Sequence, residues 1–240
     1  MARSTRYQPL LLRILHNTTA LLILSAIVTG FLVYNTYDGR WGRLPIPKIT
    51  DSIDIHGTLA LCFFLLIPVL ALYSFHPGRD RLLQADSFSY LGHLDRPIGW
   101  LSWQRLANTG MLLAATCAAI SGRMMEEDWL KEGQLGQVWY LIHLTAWLLL
   151  ITCLVMHLFF LAKVGGSALV RSMLTPRFRS DDSPSRWPAA IKDWFAAQKK
   201  KQQSSPLKQE ISTQSNPVLR VIEVIVLGGW LVALLAPLLK

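Results

Sequence analysis

Apolar residues in this chain fall into five long blocks, at about 12–34, 53–75, 106–125, 138–162 and 218–238, separated by polar and charged sequence. Each block has the ~20 residues that a helix rising 1.5 Å per residue needs to cross ~30 Å of hydrocarbon. The third is the poorest in large side chains. Its Ala107, Gly110, Ala114, Ala115, Ala118, Ala119 and Gly122 suit close helix contact better than exposure to lipid, and Asn108 and Thr109 stand near its start. The pattern predicts an all-α integral membrane protein: a four-helix transmembrane bundle with a fifth, C-terminal transmembrane helix. The domains expected are a bundle over 1–165, a basic loop over 166–217 and the last helix over 218–240.

Composition agrees with the pattern. The chain is 52% hydrophobic with a mean hydropathy of +0.33, more apolar than soluble domains. A net charge of +9 by itself suggests nucleic acid. The cations crowd into particular loops between apolar blocks, however, so membrane topology accounts for them and no nucleic-acid partner is expected. Segment 163–217 is strongly basic, the N-terminal tail carries Arg3, Arg6 and Arg13 without an acid, and loop 126–137 holds Glu126, Glu127, Asp128 and Glu132. The positive-inside rule then puts the N-terminus and loops 76–105 and 163–217 in the cytoplasm. Loops 35–52 and 126–137 and the C-terminus fall outside. The first block is too long for a signal-peptide core and no A-x-A site follows it, so it is expected to be retained. Residues 186–201 can lie on the inner leaflet as an amphipathic helix, dipping Trp187, Ile191, Trp194 and Phe195 into it, and 202–217 reads as a polar tether. Cys62, Cys117 and Cys153 each sit within an apolar block and read as small buried hydrophobes, and no CxxC or CxxCH occurs.

Histidines inside the blocks add chemistry. His143 and His157 are fourteen residues apart in the fourth block. At 100° per residue that spacing returns to within about 40° of the same face, ~21 Å further along the axis. Both imidazoles therefore face the bundle interior, one in each leaflet. His16 lies early in the first block and His56 early in the second. Because these helices run in opposite directions, His16 falls at the depth of His157 and His56 at the depth of His143. A lone intramembrane histidine is ordinarily a hydrogen-bonded packing residue. Four, matched by depth and face, are what two low-spin b-type haems require: an imidazole on each face of each iron and apolar walls around the ring. Gly30 and Gly57 are expected to let the macrocycle approach.

The arrangement resembles the prokaryotic cytochrome b561 family and the related b-type subunits of NiFe-hydrogenases and formate dehydrogenases. The resemblance rests on RILHN in the first block, IHG opening the second, no histidine in the third and IHLTAWLLLITCLVMH in the fourth, and it covers about residues 8–165. It implies a four-helix bundle with two non-covalent b haems that carry electrons across a prokaryotic inner membrane, commonly to or from quinone. The long basic loop and the fifth block go beyond the simplest members.

Other residues are weaker candidates. Arg13, Arg105 and Lys163 at the inner level, and Arg40, Arg43 and Lys48 at the outer, suit haem propionates or serve equally as topology anchors. His76 and His93 suit quinone or proton chemistry, or are simply interfacial, and Glu223 in the fifth block is expected to pair with Arg220. The function expected is electron transfer between quinone or quinol and a second redox partner, by a carrier or a quinone-linked oxidoreductase. The alternatives are a membrane-anchor cytochrome b subunit of a larger dehydrogenase or hydrogenase, and a non-redox membrane scaffold.

Overall fold

The computed structural model describes residues 7–126, 134–189, 191–193, 196–197 and 216–238, and every regular element among them is helical. Helix α1 spans Leu10–Val33 and runs on through a π-helical turn, Tyr34–Asp38, which ends where Gly39 (φ 66°) donates to the Tyr34 carbonyl at 2.9 Å. That left-handed φ is one a β-carbon disfavours. Helix α2 covers Ser52–Phe75 and α3 is a short turn of helix at Ser87–Tyr90. Helix α4, Pro97–Glu126, begins about nine residues before the apolar block that announced it. Pro97 suits a first helical position because its missing N–H is not needed there, and the polar Gln104 and Arg105 end the apolar run without ending the helix. Helix α5 is Gln134–Val164 and α6, which no apolar block signalled, is Gly166–Leu174, starting at a left-handed glycine (Gly166, φ 57°). Helix α7 is Pro217–Leu235, capped by the Asn216 side chain, which accepts from Val218 N–H at 3.1 Å.

Four stretches are long and apolar enough to cross a membrane: Leu10–Asp38, Ser52–Phe75, Gly136–Val164 and Pro217–Leu238. Helix α4 has the length but not the apolarity, and its packing says why. It lies along α5 through small residues: a β-carbon on Gly110 would meet Cys153 Sγ at 2.7 Å, and Ala107, Ala114, Ala115 and Ser121 are buried. A helix walled in by protein needs little side-chain volume and little hydrophobicity. The other helices carry large apolar side chains outward, among them Leu21, Leu61, Leu65, Val155 and Val224. Such a surface is stable only against lipid, and the chain is an integral membrane protein.

The core gathers Phe63, Phe64, Ile67 and Ala71 of α2, Leu112 and Ala115 of α4, Leu150 of α5 and Leu219, Val226 and Ala233 of α7. The last helix is thus part of the bundle. Trp230 stacks on Phe64 with ring centroids 5.7 Å apart and donates to the Phe64 carbonyl at 2.9 Å. Two expectations change. The cysteines are exposed (Cys62, Cys117) or half-buried (Cys153) rather than enclosed in the core, since a thiol is apolar enough for the lipid-facing side of a helix. Glu223 meets His76 Nε2 at 3.1 Å rather than Arg220, because α7 lies against the end of α2. The acidic loop's Glu127, Asp128 and Glu132, the proposed lipid-facing Trp194 and Phe195, and nearly all of the tether lie outside the described residues.

Candidate functional site

We call the end of the bundle where α1 begins proximal and the opposite end distal. Three helices, α1, α2 and α5, bring the intramembrane histidines together two by two. At the proximal level His16 of α1 faces His157 of α5, with ring centroids 6.3 Å apart and planes at 37°. At the distal level His56 of α2 faces His143 of α5, at 6.0 Å and 83°. All four rings are half-buried. His76 and His93 join neither pair: His76 is held at Glu223, and His93 lies near Tyr90 with centroids 6.4 Å apart.

Every one of the four Nδ1 atoms has a hydrogen-bond partner, and the partners' other bonds fix the direction. His143 Nδ1 lies 2.9 Å from the Ala118 carbonyl and 3.2 Å from Ser121 Oγ. A carbonyl only accepts, so the proton is on Nδ1. Ser121 spends its own hydroxyl proton on the Cys117 carbonyl. His157 Nδ1 lies 2.7 Å from Asn108 Oδ1, and the amide's orientation is set by Nδ2, which donates to the Arg81 carbonyl at 2.9 Å. His56 Nδ1 reaches Thr29 Oγ1 at 3.1 Å, whose proton goes to the Ser25 carbonyl at 2.8 Å. His16 Nδ1 lies 3.3 Å from Asn17 Oδ1, whose Nδ2 donates to the Met173 carbonyl. All four histidines are therefore Nδ1–H tautomers, and each keeps the Nε2 lone pair for a ligand. Thr29, Ser121 and the Ala118 carbonyl carry no mark in the sequence. Asn17 and Asn108 do carry one, as amides inside apolar blocks.

Backbone shape supports the distal pair. A β-carbon on Gly30 would sit 3.2 Å from His56 Cε1, and one on Gly122 would sit 3.3 Å from His143 Cε1. Gly57 has open space around it. Between the two rings an apolar cleft of about 50 Å³ is walled by five alanines of α1, α2 and α4 together with Ile23, Ile27, Phe63, Trp147 and Leu150. Beyond it, a cavity of about 350 Å³ at the distal end is lined by Phe31, Tyr34, Trp41, Arg43 and Trp147 among others. Among the described residues, no three histidine, cysteine or acidic side chains cluster to bind a metal ion unaided.

The cations near each level are engaged in different ways. Distally, Arg40 bonds the Asp38 carboxylate at 2.8 Å, which also accepts from Tyr140 at 2.6 Å. The carboxylate holds the Arg40 guanidinium above its usual pKa. Arg43 donates to the Asp38 carbonyl. Proximally, Arg105 donates to the Asp80 carbonyl, the Lys163 ammonium lies 4.9 Å from the Trp100 ring centre, and Arg13 is 2% exposed with Nη1 on the Thr175 and Arg177 carbonyls.

Residues 7–176 match the family model described as prokaryotic cytochrome b561. No curated protein and no solved structure matches the chain.

Proposed function

The chain belongs to the prokaryotic cytochrome b561 family, a family of membrane-bound b-type cytochromes, and from that premise we propose that it carries electrons across the membrane through two bis-histidine b haems. The proximal haem is held by His16 and His157 and the distal one by His56 and His143. The observation that carries this reading is the pair of ring spacings, 6.3 Å and 6.0 Å. An imidazole nitrogen ~2 Å from a metal on each side puts the two ring centroids ~6 Å apart. The four Nδ1–H tautomers fit as well, because a ligating histidine donates its other N–H to an oxygen that orients it. Two imidazoles supply only two donors at each level, so an iron there would arrive held by a porphyrin, which would supply one-electron exchange with no position left open to oxygen.

The chain's own contribution is placement. Helix α5 fixes both levels through one rigid element, with His143 and His157 ~21 Å apart along its axis. Helix α4 orients both α5 histidines, through Asn108 and through Ala118 and Ser121. We assign five membrane spans, α4 among them. We place the basic segment 166–217 on the cytoplasmic face of a prokaryotic inner membrane and the C-terminus outside, an orientation that the loop charges favour. Quinone is the substrate best suited to the distal cavity. Its volume is adequate for a small ring system, and Phe31, Tyr34, Trp41 and Trp147 offer aromatic faces for a planar head group, with Arg43 as a donor. The anchor-subunit alternative draws on the exposed apolar side chains Trp41, Leu44, Ile46 and Ile49 in the same loop; co-purification of a partner in mild detergent would favour it.

Pyridine haemochrome assay of the purified protein should give two acid-extractable protohaems per chain. His16→Ala and His157→Ala should each abolish one spectral component, and His56→Ala and His143→Ala the other. One haem per chain, or loss of the same component in His16→Ala and His56→Ala, refutes the assignment.

A further inference from the structure

Arg13 is the most enclosed cation at either level, 2% exposed within the first turn of α1. Its guanidinium is only half used. Nη1 donates to two backbone carbonyls of the segment that follows α6, those of Thr175 and Arg177, and the Tyr7 ring centre lies 5.7 Å from Cζ. Nε and Nη2, on the other edge, are buried and have no acceptor. Among the described residues Arg13 makes no ion pair, and Asp182 directs one oxygen, Oδ2, at the Tyr7 hydroxyl and the Leu10 N–H rather than at Arg13. A buried charge with two unmade hydrogen bonds is costly unless something anionic completes it. Nε–H and Nη2–H point the same way and form the side-on fork that matches the two oxygens of a carboxylate. Arg13 precedes His16 by three residues, so it sits on the same helix face ~4.5 Å nearer the proximal end.

We infer that the Nε/Nη2 edge of Arg13 binds a carboxylate of the proximal cofactor, its propionate, with Thr175 and Arg177 holding the guanidinium in place. The inference rests on the bis-histidine reading above. It gives the post-α6 segment a role: two carbonyls more than 160 residues away in sequence orient a cofactor-binding arginine. The other anion with suitable oxygens is a phospholipid phosphate, which the test distinguishes.

The test uses the full-length protein. The proximal component is first identified as the one lost in His16→Ala. If wild type shows no such low-spin component, the bis-histidine reading fails and the inference fails with it. If it does, haem transfer to apomyoglobin is timed for wild type, Arg13→Gln and Arg13→Lys, each carrying haem or haem dimethyl ester, in which both propionates are blocked. The expected result is faster loss of proximal haem in Arg13→Gln, a smaller effect in Arg13→Lys, and an unchanged distal component. The ester should leave the wild-type proximal site faster than haem does, and Arg13→Gln should add nothing further to that rate. Should Arg13→Gln fail to assemble, the ester comparison on wild type decides alone. Equal retention of ester and haem overturns the inference. So does an Arg13→Gln protein that loses bound anionic phospholipid while keeping both haems at wild-type rates.

Discussion

Replacing Asn108 by leucine tests the proximal site through a residue that is not itself a ligand. Asn108 Oδ1 accepts from His157 Nδ1 at 2.7 Å, the shortest of the four Nδ1 bonds. Leucine nearly preserves the volume and removes that acceptor. The Nδ2 bond to the Arg81 carbonyl is lost too. Losing a partner of this kind costs a ligand ~10–100-fold in affinity, or ~1.4–2.7 kcal/mol. Potential should move as well. The hydrogen bond makes His157 a stronger donor and favours ferric iron, so its loss should raise the proximal midpoint. With a net bond worth ~1 kcal/mol and 59 mV per tenfold for one electron, the rise is on the order of 40 mV. Potentiometric titration of the purified protein, with haem transfer to apomyoglobin, reads both effects. Ser121→Ala serves as the distal contrast. His143 keeps the Ala118 carbonyl at 2.9 Å when the hydroxyl at 3.2 Å is removed, so a much smaller change is expected. An Asn108→Leu protein whose proximal component keeps its potential and its haem, or whose distal component moves instead, would show that this bond does not orient a ligand.

Register along α5 gives a second test. One alanine inserted between Thr145 and Ala146 rotates His143 against His157 by about 100° and shifts it ~1.5 Å; one component should be lost or become high-spin, and two intact low-spin haems would refute the stacked arrangement. Gly30→Val should disturb the distal component alone, since even the β-carbon would lie 3.2 Å from His56 Cε1; an effect confined to the proximal spectrum would contradict the assignment of levels.

The sequence alone determined what depends on local pattern. Bilayer thickness fixes the length of an apolar run, so α1, α2, α5 and α7 were legible to within a few residues. Helical periodicity fixes the face, so the fourteen residues between His143 and His157 implied two levels on one side of one helix, and antiparallel succession implied which histidine meets which. The structure brings those same rings within 6.0 and 6.3 Å. Hydropathy was a poor guide where a helix is surrounded by protein or lies at its edge: α4 extends well beyond its apolar run, and α6 had none. Tertiary structure alone decided the partners, because they depend on how one helix slides and turns against another, which no spacing within a helix encodes. Asn108 and Ala118 reach the α5 histidines from α4, Gly122 lies against the His143 ring, and His76 rather than Arg220 meets Glu223. The same holds for Arg13, whose charge was plain in the sequence. Its burial, its two backbone clamps and its unpaired edge exist only once the segment after α6 folds back over the start of α1.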